Sequence, residues 1–519
     1  MQVKKHYLER LLQNPWKGLE SGFRMSGFRP RPEMPPEPRT LNPSLAQTGG
    51  FASASYALAI LLILVNPIHA EDYRISTQEQ FLSASGRTYG PGDRVLLERG
   101  KRFTGQLLIK GGGEPGRPVI VDAFGEGALP ILDGNGLSDN IGVLQIEDAG
   151  QIEVGNLEIT NAFGTKTKSY GILVRDNSGE KHSHIYIRDC YVHHITSDDS
   201  NTTAGSGDKN LGGIHLGTGN GTLWDDILVE GNRIEYAGRS GITTGGWKKP
   251  MPPKIKGMHN LEDSSDCITN LRIRKNRIAY ASGDGIIMRM AYKGLVEYNV
   301  VHHCGYSGNA KPTGVSASIW GANKNIDCVF QYNEAYAHFQ NSDAGGFDVD
   351  MWSKGTIMQY NYSHDNAGGF ILSWGPNQEC VIRHNVSVNE KPFGSHNNTK
   401  GLAFENNTFY LGDGMKSTYP VWGAEMRSNL LVATQGSFST NKSTVASVGD
   451  YYYTPKRKNP DGTAPEAADP GFVNPCGKES PIGLANLGGF KRKADSPCPQ
   501  VGADIDHILQ HADPDKQPH

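Results

Sequence analysis

A short run of alternating apolar residues that ends in asparagine recurs seven times in this sequence. The copies are Ile227 to Asn232, Leu271 to Asn276, Leu295 to Asn299, Val329 to Asn333, Ile357 to Asn361, Val381 to Asn385 and Ala403 to Asn407. From Asn276 onward the terminal asparagines lie 22 to 34 residues apart. A second unit accompanies the earlier copies, a small residue followed by alternating side chains, at Gly213, Gly241, Gly285, Ser318, Gly346 and Gly369. A unit this short cannot bury an apolar face alone, so successive copies must stack on one another. The period of two makes each unit a strand, and the Gly- and Asn-rich joints make turns. Stacked parallel β coils satisfy all of this. Asn suits the corner of such a coil because it tolerates left-handed turns and its amide can bond the Asn of the next coil. That structural role weakens the N-x-S/T matches at Asn361 and Asn385 as glycosylation signals.

Composition agrees with many short strands and tight turns: 64 of 519 residues are glycine, without a triplet period. The formal net charge is -3, with no Lys/Arg excess to attract a polyanion, so a nucleic-acid partner is not expected. Gly111 to Gly116 matches G-x-G-x-x-G by letters, but Pro115 and Pro118 forbid the helix that a nucleotide site needs.

Residues 1–70 read as a leader. The apolar run Tyr56 to Val65 is short for a membrane span and is followed by Ile68-His69-Ala70, which ends in a small residue. An export signal with a mature chain from near Glu71 is the expectation, with Met25 or Met34 as alternative starts. A single uncleaved anchor is the alternative, and it would be the chain's one contact with a membrane. The seven cysteines show no C-x-x-C spacing, so no zinc cluster is expected. Cys476 and Cys498 could pair in an oxidising compartment.

The repeats resemble those of right-handed parallel β-helix proteins, the pectate-lyase-like group, across roughly residues 100–450. Tyr73 to Gly136, with Pro91-Gly-Asp-Arg-Val-Leu-Leu and Pro118-Val-Ile-Val-Asp-Ala-Phe-Gly, resembles that group's N-terminal cap and first coils. Asp469-Pro-Gly-Phe and Ser496-Pro-Cys resemble its closing segment. The resemblance implies an all-β solenoid with a cap and first coils at 71–140, a core at 141–450 and an irregular C-terminal segment at 451–519. Ser76 to Glu79 has the spacing of a capping box for a short N-terminal helix. The fold carries lyases, hydrolases, epimerases and phage adhesins, so it does not choose a reaction.

Aligning the second units maps one face of the stack. Two residues past the small one stand His215, Thr243, Ile287, Trp320, Asp348 and Ile371; four past it stand Gly217, Gly245, Arg289, Ala322, Asp350 and Ser373. Both rows alternate with inward apolar residues and should face solvent. Asp348 and Asp350 would then lie about 6.5 to 7 Å apart along one strand. Such a pair suits acid/base chemistry or a divalent cation, Ca2+ being the candidate. The neighbouring turns add Asp343, His364 and Asp365. Trp320 lies on the same rows, and Trp247, Trp352 and Trp374 fall just past the strand in their own coils, a candidate platform for sugar rings. Insertions at 193–212, 246–268 and 304–316 would wall this face.

Asn341-Ser-Asp343 through Asp348 is similar to the Asn-Thr-Asp strand of polygalacturonases, although their paired Asp, Gly-His-Gly and Arg-Ile-Lys motifs are absent. Gly346-Phe-Asp-Val-Asp350-Met-Trp is similar to the active-site strand of β-helix xylosidases, where Asp350 would match the nucleophile and Ser373 replaces the acid/base Glu. Alginate epimerases have a similar Asp-rich strand, but their Asp-Pro-His-Asp motif is missing.

The expectation is an exported glycoside hydrolase acting on a polysaccharide or oligosaccharide. Asp343, Asp348, Asp350, His364 and Asp365 would be catalytic, and His215, Arg289, Trp247, Trp320, Trp352 and Trp374 would bind substrate. No cofactor is required beyond the candidate Ca2+ at Asp348 and Asp350. A cation-dependent polysaccharide lyase or uronate epimerase is one alternative, and a non-catalytic glycan-binding or adhesin module is another. A monomer is expected, with trimers known among relatives.

Overall fold

One inward row fixes the architecture. Ile214, Ile242, Ile286, Ile319, Phe347, Ile371 and Phe393 are partners in successive parallel strands, and each is buried. Burying a side chain of this kind contributes roughly 1.5–3 kcal/mol, and the row repeats that gain once per coil. The structure, a computed structural model, describes residues 70–163, 168–197, 207–217, 223–245, 261–305, 317–339, 343–397, 401–421, 425–440, 446–454 and 468–516. All of them belong to one compact unit spanning 65–519.

Among the described residues the strands form three parallel ladders of a right-handed β-helix, each coil adding one rung to each ladder. Two ladders merge into a 25-stranded sheet, and the third is a separate 13-stranded sheet. The seven strands that matter for function follow one another on a single ladder: β1 (Gly212–Gly217), β2 (Ser240–Thr244), β3 (Ile286–Tyr292), β4 (Ala317–Ile326), β5 (Gly345–Val349), β6 (Gly369–Trp374) and β7 (Phe393–Asn397).

The recurrent asparagines form one continuous hydrogen-bonded column. From Asn232 through Asn276, Asn299, Asn333, Asn361, Asn385 and Asn407 to Asn429, each Nδ2 and backbone N donates to the next residue's Oδ1, and Asp450 ends the series. The left-handed residue is not the Asn itself but the one before it, as at Tyr298 (φ 54°), Tyr332 (φ 51°) and Tyr360 (φ 55°). Their rings stack 5.1 and 5.4 Å apart along the outside of the corner. Asn361 and Asn385 are buried in this column.

At the N-terminal end, α1 (Gln78–Ala84) closes the first coil with the fully buried Phe81, which stacks on Phe103 at 5.4 Å. Its capping box is Thr77 with Gln80, one residue beyond the spacing expected from Ser76 and Glu79. Thr77 Oγ1 accepts from Gln80 N, and Gln80 Oε1 accepts from Thr77 N. At the other end, Tyr451–Tyr453 is the last rung of the 13-stranded sheet. Residues 468–516 then run back beside the coils, with α2 (Ile505–His511) placing His507 against Tyr332. All seven cysteines are thiols, so Cys476 and Cys498 are not joined as the sequence suggested. The apolar run at 56–65 lies outside the described residues, and among those described no helix is long and apolar enough to cross a membrane.

Candidate active site

The outward rows of β1 to β6 run as the sequence indicated up to β5 and then shift. Gly345, not Gly346, is level with Gly369, so Asp348 is level with Leu372 and Val349 with Ser373. Ile371 therefore points inward with Phe347, and Trp374 stands beyond Asp350 on the outer row. Ser373 lies in the coil interior, fully buried and within 3.4 Å of Asn377 Nδ2. The corrected rows read His215, Thr243, Ile287, Trp320, Asp348, Leu372 and, beside it, Arg289, Ala322, Asp350, Trp374.

These rows leave the coil interior, but apart from Trp374 they do not face solvent. Asp348 is 3% exposed, Asp350 4%, Arg289 2% and Trp320 2%. Ile287, Ala317, Trp320, Ala322 and Leu372 make a small apolar cluster of their own on this outer face. Charge is concentrated beside it in three residues that sequence reasoning missed. Lys209, Arg239 and Asp284 are each completely buried, with Lys209 Nζ 3.7 Å and Arg239 Nη2 3.2 Å from Asp284 Oδ2. Asp284 sits between Gly283 and Gly285 directly before β3, a charged residue in a turn of small ones, and that pattern was a usable signal. Lys209 lies inside the 193–212 insertion, where no pattern marks it.

Burial governs the carboxylates. It pushes Asp348 well above the usual carboxylate range, with the charges of Asp350 and Asp343 adding to the effect and Lys209 opposing it. Burial also raises Asp350, to about 7; the Met351 N–H and Lys209 hold it down, and the negative charge of Asp343 pushes it up. The Trp320 indole also favours the Asp350 anion, although its Nε1 is off the line of a good hydrogen bond. Desolvation penalises the charged form, and two anions cannot share a dry site. Asp343, which is buried in the turn before β5, raises both through its electrostatic effect.

Several buried polar atoms here have no hydrogen-bond partner: Asp348 Oδ1, Asp350 Oδ1, Arg289 Nε and Nη2, and Trp320 Nε1. Buried polar groups are almost always satisfied, so five such atoms on two adjacent rows set this cluster apart from the rest of the coil surface.

Not every expected residue joins this cluster. His364 and Asp365 belong to the 13-stranded sheet, where His364 bonds Glu334 and Asp365 and stacks on Tyr336 and Tyr362. Burial opposes the His364 charge, but its two acidic partners outweigh burial and raise its pKa. The pair was placed at the site because a turn was read as lying beside the strand that follows it, whereas it faces another side of the coil. His215 is on the outer row, but four coils from Asp348, roughly 19 Å at about 4.8 Å per coil. Burial and Arg289 push its pKa down to about 3, and its Nδ1 lies 2.7 Å from Thr243 Oγ1. Trp320 offers no free face to a sugar, because Lys209 Nζ stands 4.1 Å and the Arg289 guanidinium 5.6 Å from its ring centre. Trp374 is 40% exposed and Trp352 is partly exposed, so these two are open to a ligand. Trp247 lies outside the described residues. Among the described residues no group of three or more His, Cys, Asp or Glu side chains is arranged to hold a metal. Lys209 is a cation acting on both Asp348 and Asp350.

No protein-family model matches the chain. It is 25% identical over 441 residues to the lacto-N-biosidase of Bifidobacterium longum subsp. longum, a match that covers 67% of this chain and 27% of that protein. The chain thus spans about a quarter of the length of this curated relative. Among solved structures it is similar to the GH136 lacto-N-biosidase from Eubacterium ramulus. For the selenomethionine derivative the TM-score is 0.53 and the identity 21%, covering 73% of this chain and 68% of that one. For the native protein the same TM-score and identity cover 76% and 66%. At this identity the structural likeness shows the fold, a parallel β-helix.

Proposed function

We propose that this chain is a glycoside hydrolase acting on an oligosaccharide, with Asp350 as the proton donor and Asp343 as its anionic partner. The observation that carries the reading is the buried carboxylate group in which Asp350 is raised to about 7 by burial and by the charge of Asp343, with Oδ1 of Asp350 lacking a hydrogen-bond partner. Cleavage of a glycosidic bond needs one carboxylic acid to protonate the leaving oxygen and one carboxylate to meet the positive charge at the anomeric carbon. A carboxyl that titrates near neutrality can give and retake that proton. Asp348, whose carboxyl burial raises well above the usual carboxylate range, is the candidate hydrogen-bond donor to the sugar. The similarity to lacto-N-biosidases supports the same class of reaction. Export through the leader would place the enzyme where such glycans are met.

Hydrolysis is preferred to elimination. Elimination needs a base to take a proton from carbon, and the basic groups here are unsuited to it: Lys209 is paired with Asp284, and His215 is four coils away. The test is to incubate the chain from Glu71 onward with neutral and acidic oligosaccharides and to follow reducing ends and ultraviolet-absorbing unsaturated ends together. Reducing ends alone are expected, with kcat falling roughly 10²–10⁴-fold in Asp350→Asn. Unsaturated ends would overturn the reading, as would full activity in that variant.

A further inference from the structure

The turn that precedes β3 reads Gly283-Asp284-Gly285, and close packing explains both glycines. A β carbon on Gly283 would lie 1.3 Å from Arg239 Nη1, and one on Gly285 2.2 Å from Val301 Cγ1. The turn thus leaves room for the Arg239 guanidinium to lie across its backbone beside Asp284. Asp284 Oδ1 accepts from Ala317 N at 3.0 Å, while Oδ2 faces Arg239 Nη2 at 3.2 Å and Lys209 Nζ at 3.7 Å. One completely buried carboxylate therefore ties together the residue before β2, the turn before β3, the first residue of β4 and the insertion that carries Lys209. Burial works against its charge, but Lys209, Arg239 and the Ala317 N–H outweigh burial and hold its pKa below the usual carboxylate range.

The backbone of Lys209 is fixed by β2, where Ser240 Oγ donates to Lys209 O at 2.7 Å and Ser240 N to Leu211 O at 2.9 Å. Its fully buried side chain then places Nζ 4.1 Å from the Trp320 ring centre. Trp320 is level with Asp348 in the next coil, and Asp350 lies two residues further along. The charged and titratable groups around Nζ are Asp284, Arg239, Arg289, Asp348, Asp350 and the imidazole of His338, which burial pushes down to about 4. Burial lowers Lys209 to about 8; Asp284 is the foremost charge in support of the ammonium, Asp350 adds to it, and Arg239 and Arg289 oppose it. A buried ammonium that loses its main counter-charge gives up its proton rather than remain charged. Without Asp284, Lys209 would turn neutral beside the carboxylates.

We propose that Asp284 is a positioning residue for the reaction: it holds the Lys209 ammonium against Trp320 and so maintains the positive charge that the Asp350 carboxyl meets. Asp284 also acts directly on Asp348, whose pKa its charge raises, whereas the cation acting on Asp350 is Lys209. The two routes have opposite signs. Loss of Asp284 acting through space removes a negative charge and lowers a carboxyl pKa; loss acting through Lys209 removes a positive charge and raises it. The inference rests on the glycosidase reading, in which Asp350 works protonated and activity falls as pH rises through its pKa.

The test is the alkaline limb of kcat/KM in four proteins: the unsubstituted chain, Asp284→Asn, Lys209→Met and the double variant. In Asp284→Asn the limb should move to higher pH by roughly 1 unit, the direction expected for Lys209→Met. The double variant should coincide with Lys209→Met to within about 0.3 unit, because nothing is left for Asp284 to hold. A limb that moves down in Asp284→Asn overturns the proposal. So does a limb that stays fixed while kcat falls, the mark of a residue that only supports the fold, and so does a double variant that departs from Lys209→Met. Should Asp284→Asn fail to fold, Lys209→Met against the double variant, in which one of the two stranded cations is gone, still decides. Urea unfolding of the same proteins needs no catalysis: the loss in the double variant should be smaller than the sum of the two single losses. That coupling in a chain that yields no new reducing ends would retire the glycosidase reading alone, whereas additive losses with activity intact would retire the link between Asp284 and Lys209.

Discussion

Lys209 Nζ stands 4.1 Å above the centre of the Trp320 ring. From there its charge lowers the pKa of both Asp348 and Asp350, while burial and Asp343 raise them. Burial also lowers Lys209 itself, to about 8, with Asp284 supporting its charge. If Asp350 acts as the protonated acid, activity falls as pH rises through its pKa. Lys209→Met removes an opposing charge, so the Asp350 pKa should rise and the alkaline limb of kcat/KM should move to higher pH by roughly 1 unit. A pH profile measured on both proteins decides this, and an alkaline limb that stays fixed or moves down would show that Lys209 does not set the acid.

The turn carrying Asp343 is held against Gly368. A β carbon on Gly368 would lie 1.5 Å from Asp343 O, and Gly368 N donates to Ala344 O at 2.9 Å. Backbone cannot swing away as a flexible side chain can, so Gly368→Ala must displace Asp343. A displacement of about 1 Å at a reacting group can cost roughly 10²-fold in rate, and a loss of that order in kcat is expected. Gly488→Ala, where the added carbon meets nothing within 4 Å, is the control. Equal activity of the two variants would remove Asp343 from the reaction.

In the asparagine column, Asn361 Nδ2 donates to Phe330 O and Asn385 Oδ1, and its Oδ1 accepts from Asn333 N and Nδ2. Asn361→Ala strips partners from several groups that no water can reach. At 1–3 kcal/mol for each stranded group, a loss of about 3 kcal/mol in urea unfolding is expected. The exposed Asn486→Ala should cost less than about 1 kcal/mol. Similar losses for both would deny the column its structural role.

Glu390 is fully buried, and burial raises its pKa to about 7 from 4.5, against hydrogen bonds from Ser363, Asn366 and Ser387 that favour the anion. A carboxyl whose folded pKa is raised contributes stability that is present below its unfolded pKa and lost as pH rises through the folded one. The shift corresponds to a loss on the order of 3 kcal/mol between about pH 4.5 and pH 7. Glu390→Gln, which keeps an acceptor for Asn366, should flatten this pH dependence in thermal unfolding and gain stability relative to the native chain above pH 7. An unchanged slope would mean that Glu390 is not the titrating group.

Parts of the site were legible because strand periodicity is strict. Once the small residue of each repeat was aligned, Trp320 and Asp348 followed as neighbours on one row and Arg289 and Asp350 as members of the next. The same reasoning slipped by one residue at Gly369, because β5 opens with two adjacent glycines, Gly345 and Gly346, and either could be matched to the following coil. That slip exchanged Ser373 for Trp374. His364 and Asp365 were misplaced for a related reason: nearness in sequence across a turn is not nearness in space when each turn sends the chain to a different side of the coil.

What the sequence determined by itself was the solenoid: apolar residues at every second position, repeated at coil length, have only one way to bury themselves, and the stacked asparagines fix where each corner falls. What the tertiary structure decided was the chemistry of one face. Lys209, 141 positions before Asp350, and Asp284 reach the carboxylates only after the coils have stacked. Whether a row that leaves the coil interior is wet or dry depends on what folds over it. Burial sets the protonation of Asp348 and Asp350, and burial is a property of the assembled surroundings rather than of residue order.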